Sequence, residues 1–167
     1  MKKFIFVVLA VLISTNLLFS QDYSIETKTE EKIDGSFTTT RTINLVKESG
    51  ITPLPWLDIQ ISDRINSVEN VSELQFWFNY VGNSWRFYDK VVFNIDGTVF
   101  TFTFRSTRQT MGGSMVAEIC FTENLNNEFR NALKNATSIR YQTSGLRVVD
   151  DIAAFSTEAI EAIKRLL

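Results

Sequence analysis

Carboxylates are the side chains of this sequence that could carry acid–base chemistry. The chain has no histidine and a single cysteine, Cys120, which excludes Ser-His and Cys-His nucleophile pairs, histidine-ligated metals and intramolecular disulfides. Asp89, Glu118 and Asp150 are candidates for a hydrolase that uses two carboxylates. Asp89 is the most unusual, because strand alternation places it on an apolar face, where a carboxylate must find a partner or raise its pKa. The alternative is a bulge or a strand end that leaves Asp89 in solvent.

A second candidate is a binding surface made of aromatic and cationic residues. Strand alternation places Trp77, Arg86, Tyr88 and Arg105 on the polar face of the predicted sheet, at cross-strand spacing. Aromatic rings beside arginine on an open sheet can stack on sugar rings or planar ligands. The same residues could instead form a second packing layer without a ligand. We find no metal-ligand spacing, cofactor motif or catalytic motif in the sequence, and therefore expect no metal, no cofactor and no enzymatic activity.

The first twenty residues have the pattern of a secretory signal peptide. Lys2 and Lys3 precede an unbroken apolar run at 4–13, and small and polar residues follow it. Ten apolar residues form a helix of about 15 Å, half of the ~30 Å hydrocarbon core of a bilayer. We therefore predict cleavage near Ser20, a periplasmic or secreted mature protein, and no membrane span after cleavage.

Composition and charge fit a globular domain that does not bind nucleic acid. The 167 residues are 44% hydrophobic and 22% charged, which suits a single domain, predicted at 21–167. The chain has 17 basic and 19 acidic side chains, and the signal peptide contains two of the basic ones. This acidic balance does not supply the basic face that nucleic acid or anionic lipid requires.

Three turn signals in the aromatic middle of the chain predict an antiparallel meander. Gly82-Asn83, Asp96-Gly97 and Gly112-Gly113 each tolerate the positive φ of a two-residue hairpin turn. Together they predict four strands, at about 72–81, 84–95, 98–110 and 115–123. Two-residue loops fix the register, and in these registers Phe78 pairs with Phe87, Phe93 with Phe100 and Phe104 with Phe121.

All three registers place the same apolar residues on one face, which predicts a single buried side of the sheet. Those residues are Leu74, Phe76, Phe78, Trp85, Phe87, Val91, Phe93, Ile95, Phe100, Phe102, Phe104, Ile119 and Phe121. The other face is largely polar, as expected for a sheet that is wet on one side.

Asp34-Gly35 predicts a further hairpin, of 24–32 with 36–46, which is rich in threonine and polar on both faces. Its simple register sets Lys28 opposite Arg41, and because opposed like charges are unfavourable we expect a bulge or a slip. Such a ribbon at a sheet edge can accept a strand from a partner or from a second copy. Its alternative role is to shield the edge.

The remaining elements complete a mainly β (α+β) fold. Asn124 is a candidate N-cap for a helix that runs to about Asn135, and Ser156 or Thr157 begins a C-terminal helix. Ser144-Gly145 predicts one more hairpin. We expect an antiparallel meander or sandwich of eight or nine strands, with the helices or a second sheet over its aromatic face.

These observations favour an exported, non-catalytic protein. It would bind an unknown protein or small-molecule ligand through its sheet surface or through its N-terminal ribbon. The alternatives are the carboxylate-dependent hydrolase and a self-assembling envelope component that associates through strands.

Overall fold

The computed structural model describes residues 23–47, 56–67, 72–122, 125–146 and 148–167. The predicted signal peptide at 1–20 and the predicted helix cap Asn124 lie outside these ranges. Within them, neither helix is both long and apolar enough to cross a bilayer.

Ten antiparallel strands and two helices form the described part of the chain. The strands are β1 (Glu26–Glu31), β2 (Phe37–Lys47), β3 (Trp56–Asn66), β4 (Ser72–Gly82), β5 (Tyr88–Ile95), β6 (Thr98–Met111), β7 (Met115–Thr122), β8 (Ile139–Gly145), β9 (Val148–Val149) and β10 (Ala153–Ala154). The helices are α1 (Asn127–Asn135) and α2 (Thr157–Leu166). The strand order is β1-β2-β3-β4-β7-β6-β5-β8-β10, with β9 paired to β8. The predicted mainly β antiparallel fold is confirmed.

The sheet folds over at the long strand β6. The first part of β6, up to Thr103, pairs with β5, whereas the part from Phe104 onward pairs with β7. The rings of Phe76 on β4 and Phe93 on β5 have centroids only 4.9 Å apart, although two strands separate β4 from β5. Three strand spacings in a flat sheet would be about 14 Å. The two parts of the sheet therefore turn their aromatic faces toward each other.

Helix α1 covers the rest of this aromatic face. The Phe129 ring lies 5.0 Å from Phe100, 4.8 Å from Phe102 and 5.3 Å from Phe93, measured between ring centroids. The helix begins later than predicted, because Asn126 is its N-cap and accepts a 2.8 Å hydrogen bond from the Phe129 N–H. Both the helices and the folded-over sheet therefore close the core.

Helix α2 begins where the sequence predicts. Ser156 is its N-cap and accepts from the Ala159 N–H. Its buried side consists of Ala159, Ile160, Ala162, Ile163 and Leu166. At the other end of the helix the Arg41 guanidinium of β2 donates to the Arg165 carbonyl at 3.0 Å, which links α2 to the sheet.

A buried ion pair joins α1 to the sheet. The Arg130 guanidinium lies 2.8 Å from the Asp63 carboxylate of β3, whose side chain is 4% exposed. Ser72, at the start of β4, donates to the same carboxylate oxygen. Burying these charges is tolerable because each has a partner of opposite charge and additional hydrogen bonds.

Two of the five predicted hairpins have a register one residue from the expected one, because their loops have three residues. In β6–β7 Ser106 faces Cys120, and the loop is 112–114 with Gly113 at φ 77°. This slip turns Cys120 inward and Ile119 and Phe121 outward, which corrects the predicted faces of β7. In β1–β2 Lys28 faces Thr40 and not Arg41. The register therefore slips by one residue, as expected from the unfavourable pairing of Lys28 with Arg41.

The prediction of a β4–β5 hairpin at Gly82-Asn83 is wrong. Strand β4 pairs with β3 and β7, and Trp85 and Phe87 lie between strands in half-buried positions. The hairpin at Asp96-Gly97 is confirmed in its register, with Phe93 opposite Phe100.

Candidate functional site

The structure divides the four predicted binding residues between two places. Trp77 and Arg105 lie on the outer face of the sheet, on β4 and β6. Arg86 and Tyr88 lie at the end of the inner face, where Tyr88 is buried. The prediction of a single four-residue surface is therefore wrong, and each half has its own chemistry.

A row of four side chains crosses the outer face. In cross-strand register, Gln60 on β3 faces Trp77, Trp77 faces Phe121 on β7, and Phe121 faces Arg105 on β6. The Trp77 and Phe121 rings stack with centroids 4.8 Å apart and planes at 28°. We call these four residues the aromatic platform.

The orientation of the Trp77 ring is set by its own polar edge. Its Nε1–H donates to the Ser62 hydroxyl on the neighbouring strand at 3.2 Å. Trp77 and Phe121 are both half-buried, and Arg105 is exposed. The platform thus combines two adjoining rings with a guanidinium at one end and an amide at the other, which suits a flat ring that carries polar substituents. Sequence reasoning missed Phe121, because the predicted register placed it inward.

Glu118, Arg108, Tyr88 and Asp150 contact one another at the end of the inner face, and we call them the inner cluster. Glu118 organises this cluster, and its side chain is fully buried. Its carboxylate accepts hydrogen bonds from three successive backbone N–H groups, those of Arg86, Phe87 and Tyr88, the last two at 2.9 and 3.2 Å. The Arg108 Nε–H donates to the same carboxylate at 3.3 Å. Successive N–H groups around a left-handed residue form an anion-binding concavity, and here the chain fills it with its own carboxylate.

The Tyr88 side chain continues this cluster toward Asp150. Its hydroxyl donates to Asp150 Oδ2 at 2.7 Å, and the Thr143 hydroxyl donates to the same oxygen. Burial, and then the hydrogen bond and negative charge of Asp150, raise the pKa of Tyr88. Tyr88 therefore stays protonated and acts as a hydrogen-bond donor inside the fold, so it is not a surface binding residue.

Arg86 packs against Tyr80 at the rim of the inner cluster. Its Nε–H donates to the Tyr80 hydroxyl at 3.3 Å, and its guanidinium carbon lies 5.5 Å from the Tyr80 ring centroid. The hydrogen bond to Tyr80 raises the pKa of Arg86. Arg86 stabilises the segment between β4 and β5 and takes no part in the platform.

Asp89, the candidate buried charge, lies in solvent. Asp89 is exposed, because the pairing of β5 with β8 shifts register between Tyr88 and Lys90. This irregularity is the bulge that the sequence offers as the alternative to a buried Asp89. It turns Tyr88, rather than Asp89, toward the interior.

The two carboxylates of the inner cluster are engaged by the chain itself. Glu118 holds the N–H of Tyr88, and Asp150 holds its hydroxyl. Within the described ranges, no three Asp, Glu or Cys side chains are grouped to hold a metal ion. The arrangement is suited to anchoring the segment 85–88 and the strand β5 that follows it.

Comparisons of the chain with protein-family profiles, with curated proteins and with solved structures found no match. Residue chemistry and geometry therefore carry the functional assignment.

Proposed function

We propose that this is an exported, non-catalytic protein that binds a sugar ring or another planar ligand on its aromatic platform. The observation that carries the proposal is the Trp77–Phe121 stack on the outer face. Export is supported by the signal-peptide pattern at 1–20. An N-terminal ribbon that accepts a protein partner is the other binding mode that the sequence favours.

The position of the two rings supports a role beyond packing. The hydrophobic core lies on the opposite face of the sheet and includes neither Trp77 nor Phe121. Leaving two adjoining rings half-exposed gives up apolar burial of about 25 cal/mol per Å². Exposed apolar surface that is contiguous, rather than scattered, is characteristic of binding sites.

The chemistry of the platform defines the ligand class. Stacked rings offer a flat apolar surface to the C–H face of a sugar or to a planar ring, while Arg105 and Gln60 are in register to bond to polar substituents. The guanidinium favours ligands with carboxylate or other anionic groups.

Two measurements test this function. Native and denatured mass spectrometry of the protein from its own extracytoplasmic fraction would reveal a bound ligand and the signal-peptide cleavage. A glycan array would then be probed with the mature protein and with Trp77→Ala, Arg105→Ala and Val99→Ala. Val99 is the matched control, because it is an apolar β6 residue that is 60% exposed and outside the platform.

We expect Trp77→Ala to weaken binding by at least about tenfold, the loss of about 1.4 kcal/mol or more that removal of a stacking ring produces. Val99→Ala should bind as the wild type does, and both variants should remain folded at the temperature of the binding assay. A large loss of stability in Trp77→Ala without any ligand detected would assign the rings to packing and contradict the proposal.

A carboxylate-dependent hydrolase is the alternative function. The observation that favours it is that Glu118 and Asp150 both contact Tyr88. Asp150→Asn in a folded protein should abolish turnover on an oligosaccharide substrate if this alternative is correct. Unchanged turnover, or none in the wild type, would exclude it.

A further inference from the structure

Among the residues that the structure describes, strand β1 is an open edge of the ten-stranded sheet. It is the first strand in the sheet order and pairs with β2. All six of its residues are exposed. An edge strand of this kind carries a row of backbone groups that can pair with another strand.

The residues that present those backbone groups can be identified from the hairpin. The Lys32 N–H donates to the Ser36 carbonyl at 2.8 Å, so the backbone groups of Lys32 point toward the β2 side. Because this direction alternates along an antiparallel strand, those of Thr27, Thr29 and Glu31 point to the open edge. These three residues can form an antiparallel ladder with an identical strand.

The charges of Glu26–Lys32 favour one register for such a pair, because an axis at Thr29 opposes twice as many unlike charges as an axis at Thr27, which opposes only Glu26 to Lys28. When Thr29 faces Thr29 of a second copy, Lys28 faces Glu30 twice and Glu26 faces Lys32 twice, so every charge of these four residues is opposed by its opposite. When the twofold axis passes through Lys28 or through Glu30, identical charges face each other. Opposed unlike charges across a strand pair are favourable and like charges are unfavourable.

We propose that two copies of this chain associate antiparallel through β1, with the twofold axis at Thr29. The partner is a second copy because the charge pattern is complementary to itself. The Lys28 ammonium, now 2.6 Å from Glu30 of its own strand, would then lie between two carboxylates. The proposal does not depend on ligand binding at the aromatic platform, because β1 is three strands away from β4.

The size of the contact predicts a weak dimer. Two six-residue strands bury less than the roughly 1,200 Å² that stable interfaces bury. Dimerisation should therefore depend on protein concentration and on salt, because exposed charge pairs are screened.

Cysteine cross-linking on the full mature chain tests the register. The native thiol of Cys120 is buried, so Thr29→Cys adds the single accessible thiol. In the proposed register the two positions are about 5.5 Å apart between Cα atoms, within disulfide reach. Thr27→Cys is the matched control, because its two copies are offset by four residues, about 13 Å along the strands, which is too far.

We expect Thr29→Cys to form a disulfide-linked dimer at least about tenfold faster than Thr27→Cys under the same mild oxidation. In sedimentation equilibrium at low salt, Lys28→Glu should weaken the dimer by about tenfold, and Lys28→Glu/Glu30→Lys should restore it. Equal cross-linking rates, a wild-type protein that stays monomeric at millimolar concentration, or failure of the charge swap to restore association would each overturn the proposal.

Discussion

The backbone N–H of Phe87 donates to the carboxylate of Glu118 at 2.9 Å, although the two residues are 31 positions apart. Phe87 has a left-handed backbone with φ 54°, a conformation that costs a non-glycine residue roughly 1 kcal/mol or more. The buried carboxylate offsets that cost, because it binds the N–H groups on both sides of Phe87 as well. This contact directs the chain away from a β4–β5 hairpin and into the start of β5.

Glu118→Gln should destabilise the fold by about 3 kcal/mol. The amide has the shape of the carboxylate but one acceptor oxygen, so either the N–H groups of Arg86 and Phe87 or the Tyr88 N–H and the Arg108 Nε–H lose their acceptor. In both orientations the Arg108 guanidinium loses its counter-charge. Chemical denaturation measures the effect, and Glu73→Gln, an exposed carboxylate on β4, is the control. Equal stabilities of the two variants would contradict the anchoring role.

Removing either partner of the Asp63–Arg130 ion pair should lower the free energy of unfolding. Arg130→Ala leaves the Asp63 carboxylate buried without its counter-charge, with an expected loss of about 3 kcal/mol. Lys134→Ala, an exposed cation on the same helix, should change stability by less than about 0.5 kcal/mol. Asp63→Ala/Arg130→Ala should cost less than the sum of its single variants in a double-mutant cycle, and strict additivity would show that the pair contributes nothing.

Cys120 should be unreactive in the folded protein. It is fully buried, and burial together with the nearby negative charge of Glu118 raises the pKa of its thiol to about 12. At about pH 8 the thiolate fraction is then roughly one in ten thousand. Iodoacetamide should label Cys120 only after unfolding, whereas Val99→Cys should be labelled at once in the native state. Rapid native labelling of the wild type would refute the burial of this side chain.

Asp96 should make stability depend on acid pH. It is exposed at the β5–β6 turn, and its carboxylate accepts from the Thr137 hydroxyl at 2.7 Å and from the N–H groups of Thr137 and Ser138. The Thr137 hydroxyl bond and then its backbone bond lower the pKa of Asp96 below the usual 3.8. A lowered folded pKa contributes stability that is present above 3.8 and is lost as the pH falls through the folded pKa.

Asp96→Asn removes this titration while retaining a side chain that tolerates φ 48°. The difference in unfolding free energy between wild type and Asp96→Asn should therefore be largest near pH 7 and should shrink in acid, as measured by urea denaturation along a pH series. A difference that stays constant across the series would show that the Asp96 contacts do not depend on its charge.

Part of the fold and two residues of the aromatic platform, Trp77 and Arg105, could be predicted from local patterns. Asp96-Gly97 determined the β5–β6 register, because its two residues both have positive φ, 48° and 94°, and close the turn by themselves. Alternation placed Trp77 and Arg105 together on the polar face. Phe121 could not be assigned to them, because a third loop residue, Ser114, shifts β7 by one position.

The sequence by itself determined the mainly antiparallel architecture, the helix that begins after Ser156 and the chemistry that a chain without histidine lacks. Turn residues, helix caps and strand alternation depend on residues only a few positions apart, so they can be identified from the sequence alone. Only the tertiary structure decided that β7 and β3 pair with β4, that Glu118 rather than Asp89 is buried, and that Phe121 joins Trp77. Those outcomes depend on which distant strands bury apolar surface together and which buried carboxylate finds donors, and such energies arise between segments far apart in the chain.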